Sequence, residues 1–199
     1  MNQRIAGIVD QIRQLESELE AEFARRRMEL AFTVKGGVVH FEEQVLKRHR
    51  ELKARLPRYV LGARPLLILA TPLIYSLIIP FVLLDLFISA YQFVCFPLFG
   101  IPTVRRSDYL VIDRVHLSYL NVIEKVNCAY CAYANGLIAY AREITSLTEQ
   151  YWCPIKHARR VIAAHERYRN FVDYGDAESY RKDLAALRSQ VQQKRSDVS

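Results

Sequence analysis

Apolar residues return at steps of three and four over the first thirty positions: Ile5, Ile8, Ile12, Leu15, Leu19 and Phe23. That is the stripe of one amphipathic helix, and it predicts a helix over residues 2–33. Glu16, Glu18, Glu20 and Glu22 lie off the stripe, and Arg25, Arg26 and Arg27 follow. The steps have the form of a short coiled-coil seam, but at about three heptads it is too short to specify an oligomer. Gly36-Gly37 then breaks the chain. A second helix is expected over 38–56, with Phe41, Val45, Leu52 and Leu56 on one side. The two together read as a helical hairpin whose apolar faces meet each other or a membrane surface.

The dominant feature is the run from Pro65 to Gly100, where Asp85 is the sole charge. A helix crossing hydrocarbon needs about 20 residues, so the run is too long for one span and short for two. Pro72, Pro80 and Pro97 each remove a backbone donor and favour kinks. Three arrangements fit: one span followed by an interfacial segment, a tight or re-entrant hairpin bent near Pro80, and a strongly kinked helix pair. Asp85 at membrane depth has to be neutral, paired or close to the headgroups. Tyr91 or an arginine is its expected partner, unless it marks a helix end at the interface.

Beyond the run, residues 108–150 have the composition of a long proline-free helix, with Gly136 as a bend or a close-packing point. Pro154 suits a first turn, which places a further helix over 152–171. Asp173-Tyr174-Gly175-Asp176 is a turn signal, and a last amphipathic helix is expected over 177–193. Nothing reads as a strand.

Composition alters this picture through its distribution. Of the chain's 199 residues, 25% are charged, and the net charge is +7. The flanks of the apolar run carry nearly all of that charge. Lys47, Arg48, Arg50, Lys53, Arg55, Arg58 and Arg64 precede the run, and Arg105 and Arg106 follow it. Basic residues on both sides obey the positive-inside rule when both flanks are cytoplasmic, which favours the hairpin. The surplus suits an anionic membrane surface. No nucleic-acid recognition motif accompanies it, so the lipid bilayer is the expected partner rather than nucleic acid. No signal peptide is visible at the start.

The candidate chemistry lies in the cysteines. Cys95 falls inside the apolar run and reads as packing. Cys128 and Cys131 are three apart on an expected helix and share a face; Cys153 and His157 are four apart on the next. A bend near Tyr151–Pro154 would join the faces into three thiolates and one imidazole, a set that suits tetrahedral Zn²⁺. Iron or an iron–sulfur cluster is the alternative with the same ligands. Glu124 and Glu149 stand one turn before each pair, a place from which a carboxylate orients the imidazole, holds a basic partner or binds a second metal ion; the thiolates favour a single metal. A thioredoxin-like dithiol is disfavoured because the helix is expected to continue upstream of Cys128, and haem attachment because Ala132 follows Cys131. A structural disulfide conflicts with cytoplasmic flanks. Tyr109, Tyr119, Tyr130, Tyr133, Tyr140 and Tyr151 read as interface rings. His116 and His165 read as packed or surface imidazoles, and Lys156, Arg159 and Arg160 as a solvated face. No glycine-rich phosphate loop, Gly-x-Ser-x-Gly elbow or His-Glu-x-x-His pair occurs.

The expected protein is therefore all-α and membrane-attached. Residues 1–64 form a cytoplasmic helical hairpin, 65–104 an embedded Pro-interrupted hairpin, and 105–199 a helical bundle holding the metal. Its expected role is that of an accessory protein whose metal staples two helices and which presents a surface to another membrane or cytoplasmic protein. A membrane-surface metalloenzyme or redox protein is the alternative. A lipid-facing enzyme centred on Asp85 and Arg105-Arg106 is a third.

Overall fold

A computed structural model describes residues 3–29, 32–35, 38–62 and 64–193. Gly36-Gly37 and the tail 194–199 lie outside the described residues. The chain is mostly helical. In order come α1 (Gln3–Glu29), β1 (Phe32–Lys35), β2 (Val38–Phe41), α2 (Glu43–Glu51), α3 (Leu56–Leu61), α4 (Pro65–Ser76), α5 (Ile78–Phe99), α6 (Val122–Trp152) and α7 (Ala177–Gln193). They divide into two units: Met1–Arg64 with Ile112–Ala129, and Pro65–Val111 with Tyr130–Ser199.

In the first unit α1 follows its predicted span as far as Glu29, and Phe32 and Thr33, expected at its end, lie instead in β1. Ile8, Ile12, Leu15, Leu19 and Phe23 on its stripe are all exposed. The expected second helix is corrected at its start. Residues 38–41 pair instead as an antiparallel strand with β1, in the register Phe32↔Phe41 and Val34↔Val39. The stretch Phe-Thr-Val-Lys is β-branched and aromatic, and so is Val-Val-His-Phe, which favours strands. Helix therefore begins only at Glu43. His49 of α2 lies edge-on between Phe41 and Tyr119, with ring centroids 5.2 and 5.1 Å away.

In the second unit the apolar run does not fold back at Pro80. Ile68–Phe99 is one helical stretch of 32 residues, long and apolar enough to cross a membrane by length and composition. The break between α4 and α5 falls at Leu77, which puts Pro80 in the first turn of α5, where its missing N–H costs little. α5 ends at Gly100, whose φ of 68° is left-handed. The N–H of Ile101 donates to Phe96 O at 2.9 Å and that of Gly100 to Pro97 O at 3.2 Å. This is a Schellman closure, in which the residues flanking the turn pack together. Phe96 and Ile101 are both buried.

The core gathers Phe96, Ile101, Leu137, Tyr140, Ile144, Leu147 and Val191. Contacts advance together along α5 and α6, from Asp85 with Tyr133 to Gln92 with Tyr140 and Phe99 with Tyr151, so the two helices run parallel. A parallel pair requires a return crossover, and the chain after Gly100 supplies it: Val104 bonds Gln92, and Arg106 then bonds Asp85. Gly136 allows the crossover to lie against α6. A Cβ there would meet Tyr109 O at 2.5 Å.

Two further expectations are corrected. The long helix starts at Val122 rather than near 108, because 101–121 is the crossover. The segment after Trp152 is not the expected helix over 152–171. Instead Val172 N–H donates to Pro154 O and Lys156 N–H to Val172 O, forming a parallel bridge between Ile155 and Val172. These tertiary bonds override a helical composition. Within this loop the described residues hold a 3₁₀ turn at Glu166–Asn170.

Candidate functional site on the apolar helix

Asp85 is the one charge on an apolar helix, and its surroundings are built to hold it. Arg106 approaches it with two nitrogens, Nη2 at 2.5 Å from Oδ2 and Nε at 3.3 Å from Oδ1. Tyr133 donates to Oδ2 at 3.0 Å and Ser89 to Oδ1 at 3.3 Å. The carboxylate side chain is 15% exposed while the guanidinium is 50% exposed, so the pair faces α6 on one side and solvent on the other. Hydrogen bonding to Asp85 holds Arg106 above its ordinary guanidinium range. Burial, and after it the bond to Asp85, pushes the Tyr133 hydroxyl up.

Two turns further along α5, Gln92 offers both ends of its amide to one peptide unit. Its Oε1 accepts from Val104 N–H at 2.7 Å, and its Nε2 donates to Val104 O at 3.2 Å and to Tyr140 Oη at 3.0 Å. Tyr91, an expected partner of Asp85, instead meets Thr148 Oγ1 at 3.0 Å. Tyr130 donates to Ile74 O at 2.8 Å, satisfying one of the carbonyls that the end of α4 leaves without an intrahelical partner. Asp85, Ser89 and Gln92 recur at i, i+4 and i+7. That polar stripe inside an apolar run marks one helix face, a signal carried by the spacing of the three residues rather than by the lone charge.

The cysteine–histidine set is placed differently from the expectation. α6 is continuous over its 31 residues, with Cys128 half-buried and Cys131 exposed near its start and Cys153 exposed just past its end. From Cys131 to Cys153 the helix advances about 33 Å at 1.5 Å per residue. The bend near Pro154 exists, but it lies at the far end of α6 from the Cys128–Cys131 pair. His157 is exposed and stacks on Tyr168, whose hydroxyl accepts from the His157 backbone N–H at 2.5 Å. Among the described residues no three His, Cys, Asp or Glu side chains are grouped to hold a metal ion.

The two outer carboxylates have other work. Glu124 Oε2 accepts from Asn121 N–H at 2.8 Å, and Asn121 Oδ1 accepts from Glu124 N–H at 3.0 Å. This reciprocal capping box starts α6, and the spacing Asn-x-x-Glu announces it in the sequence. Glu149 lies 2.9 Å from His165 Nε2, and its neighbour Glu143 pairs with Arg167.

The arrangement thus clamps a crossover and a second helix onto the inner face of α5, while the outer face of α5 stays apolar and exposed. Comparison with known proteins finds no matching family model, no matching curated protein and no matching solved structure.

Proposed function

We propose that this chain is a membrane-anchored accessory protein, held at a bilayer by α4 and α5 and presenting its soluble flanks to a protein partner. The observation that carries this reading is the helical stretch Ile68–Phe99, whose most apolar part is not buried anywhere in the fold. Leu66, Leu69, Leu73, Phe87, Phe93 and Leu98 are each at least 70% exposed, far more contiguous apolar surface than a soluble monomer tolerates. The bilayer is the partner whose chemistry fits it, and the basic residues before and after the run suit anionic headgroups on a cytoplasmic leaflet. The exposed seam of α1 supplies an apolar surface for a protein partner.

An interaction role is favoured over an enzyme because the carboxylates near the core are already engaged. Asp85, Glu143 and Glu149 each face a basic side chain. The reading does not depend on a metal staple, since α6 separates the two halves of the ligand set. Flotation of the purified full chain with phosphatidylcholine vesicles, with and without phosphatidylserine, tests it. Co-migration that survives alkaline carbonate, strengthened by phosphatidylserine, is the expected result. A detergent-free chain that remains monomeric and does not float overturns the reading.

A further inference from the structure

The run 65–99 is long enough to traverse a bilayer, yet its neighbours forbid that path. Arg106 contacts Asp85 and Val104 contacts Gln92, so a charged crossover lies along the C-terminal half of α5. Were this half of the helix surrounded by hydrocarbon, Arg105, Arg106 and Asp108 would be drawn in with it, at several kcal/mol for each unpaired charge. The remaining stretch, 65–84, has about the length of one span. Crossing there would place residues before 65 and after 100 on opposite sides. His49, before the run, and Tyr119, after it, have ring centroids 5.1 Å apart. Residues in ring contact share one side of a membrane.

We infer that the chain is monotopic: the outer face of α4 and α5 lies in one leaflet, and both flanks stay on the same side. This rests on the anchoring reading above and specifies its geometry. The face has the form such insertion needs. Ile79, Leu83, Leu86, Phe87, Val94 and Leu98 fall on one half of α5 and are exposed, while Asp85, Ser89, Gln92 and Phe96 fall on the other half and meet the protein. A helix apolar outside and polar inside, backed by a charged crossover, matches a leaflet surface rather than a bilayer interior. Basic Arg64 and Arg105 flank the two ends of the run in the sequence, and their charge suits anionic phosphate groups.

The experiment uses the native chain added to preformed, sealed phosphatidylcholine–phosphatidylserine vesicles, followed by flotation and trypsin outside the vesicles. The result expected is co-flotation with cleavage in both flanks, at Lys47, Arg48 and Arg50 and at Arg181 and Lys182, all exposed residues. Flotation with one flank protected from trypsin overturns the monotopic geometry while leaving anchoring intact. No flotation overturns the anchoring reading itself. A dimer in its place assigns the apolar face to a second copy. A second variant, Leu83→Glu/Phe87→Glu, changes side chains on the outer face and is expected to lower vesicle binding roughly tenfold or more. Unchanged binding by this variant overturns the assignment of the outer face.

Discussion

The side-chain amide of Gln92 pairs with the backbone of Val104 as a neighbouring strand would, accepting from its N–H at 2.7 Å and donating to its carbonyl at 3.2 Å. A helix has no free backbone groups to hold an extended chain against it, and Gln92 supplies the missing donor and acceptor. The same amide reaches Tyr140 on α6, so one residue joins three segments.

Gln92→Leu keeps the side chain's approximate size and strands three polar groups. Each buried group left unpaired costs about 1–3 kcal/mol, so a loss near 3 kcal/mol is expected. Denaturant unfolding in mild detergent measures it. A loss under about 1 kcal/mol would mean that water replaces the amide at no cost.

Asp85 and Arg106 form the second fastening of the crossover. Half of the guanidinium is exposed, which holds their coupling to about 1 kcal/mol. Asp85→Asn and Arg106→Gln, combined in a double-mutant cycle, measure it. Each single change should cost more than the double change relative to its partner, because a lone charge beside α5 is worse than none. Additive single effects would show that the pair contributes nothing to the fold.

Much of the architecture was readable from the chain. α1, α7 and the apolar run are strongly periodic or strongly apolar, and the structure places helices over them. The failures have a common cause in contacts remote in sequence. Residues 108–121 have a helical composition but belong to the crossover, which holds short 3₁₀ turns at Arg106–Asp108 and Arg114–His116 and whose first residues, Val104 and Arg106, are bonded to α5. Residues 155–172 are bent into a loop because Val172 N–H donates to Pro154 O and Lys156 N–H to Val172 O. The cysteine and histidine spacings suggested two joined faces, but the unbroken helix between the pairs sets Cys131 and Cys153 about 33 Å apart at 1.5 Å per residue, with the bend only at its far end. Within that helix Gly136 is a close-packing point, with the crossover backbone at Tyr109 and Leu110 against it.

That close approach makes Gly136 the most sensitive glycine among those described. In Gly136→Ala the new methyl would stand 2.5 Å from Tyr109 O and 3.1 Å from Leu110 Cα, both backbone atoms. The crossover has to move, and overpacking of this kind costs about 1–3 kcal/mol. Gly7→Ala in α1 meets nothing within 4 Å. It should stabilise that helix by about 0.5–1 kcal/mol. Chemical denaturation reads the first effect, and amide hydrogen exchange in α1 reads the second. Equal outcomes for both substitutions would refute the close packing.

Asp176 caps α7 by accepting from Ser179 N–H at 2.9 Å. Bonding from Ser179, through its side chain and its backbone, holds the carboxyl below its ordinary value of 3.8. The sign follows from the direction. The cap's contribution is present above pH 3.8 and is lost as pH falls through the lower folded value. Asp176→Asn should keep the cap and remove this acid dependence, whereas Asp176→Ala should weaken α7 at every pH. Thermal unfolding followed from pH 7 down to pH 2 separates the two variants. A wild-type profile identical to that of Asp176→Asn would exclude a role for the charge.

The thiols give a direct test of how α6 arranges its cysteines. Cys131 and Cys153 are exposed and separated by about 33 Å of helix, so nothing in a single chain ties their reactivities together. A disulfide-forming aromatic reagent should modify both quickly and independently, with Cys95 and Cys128, each half-buried, reacting later. Adding a chelator should leave all four rates unchanged, and elemental analysis should find no stoichiometric zinc or iron held by monomeric protein. Cys128→Ser/Cys131→Ser should then leave the reactivity of Cys153 as it was. Were the chelator to release Cys128, Cys131 and Cys153 together, with one metal lost per chain, α6 would have to be broken between them. The parallel pairing of α5 with α6 from Tyr133 to Tyr151 would then be broken as well. Rate measurements on the intact chain thus test the ligand set and the long helix at once.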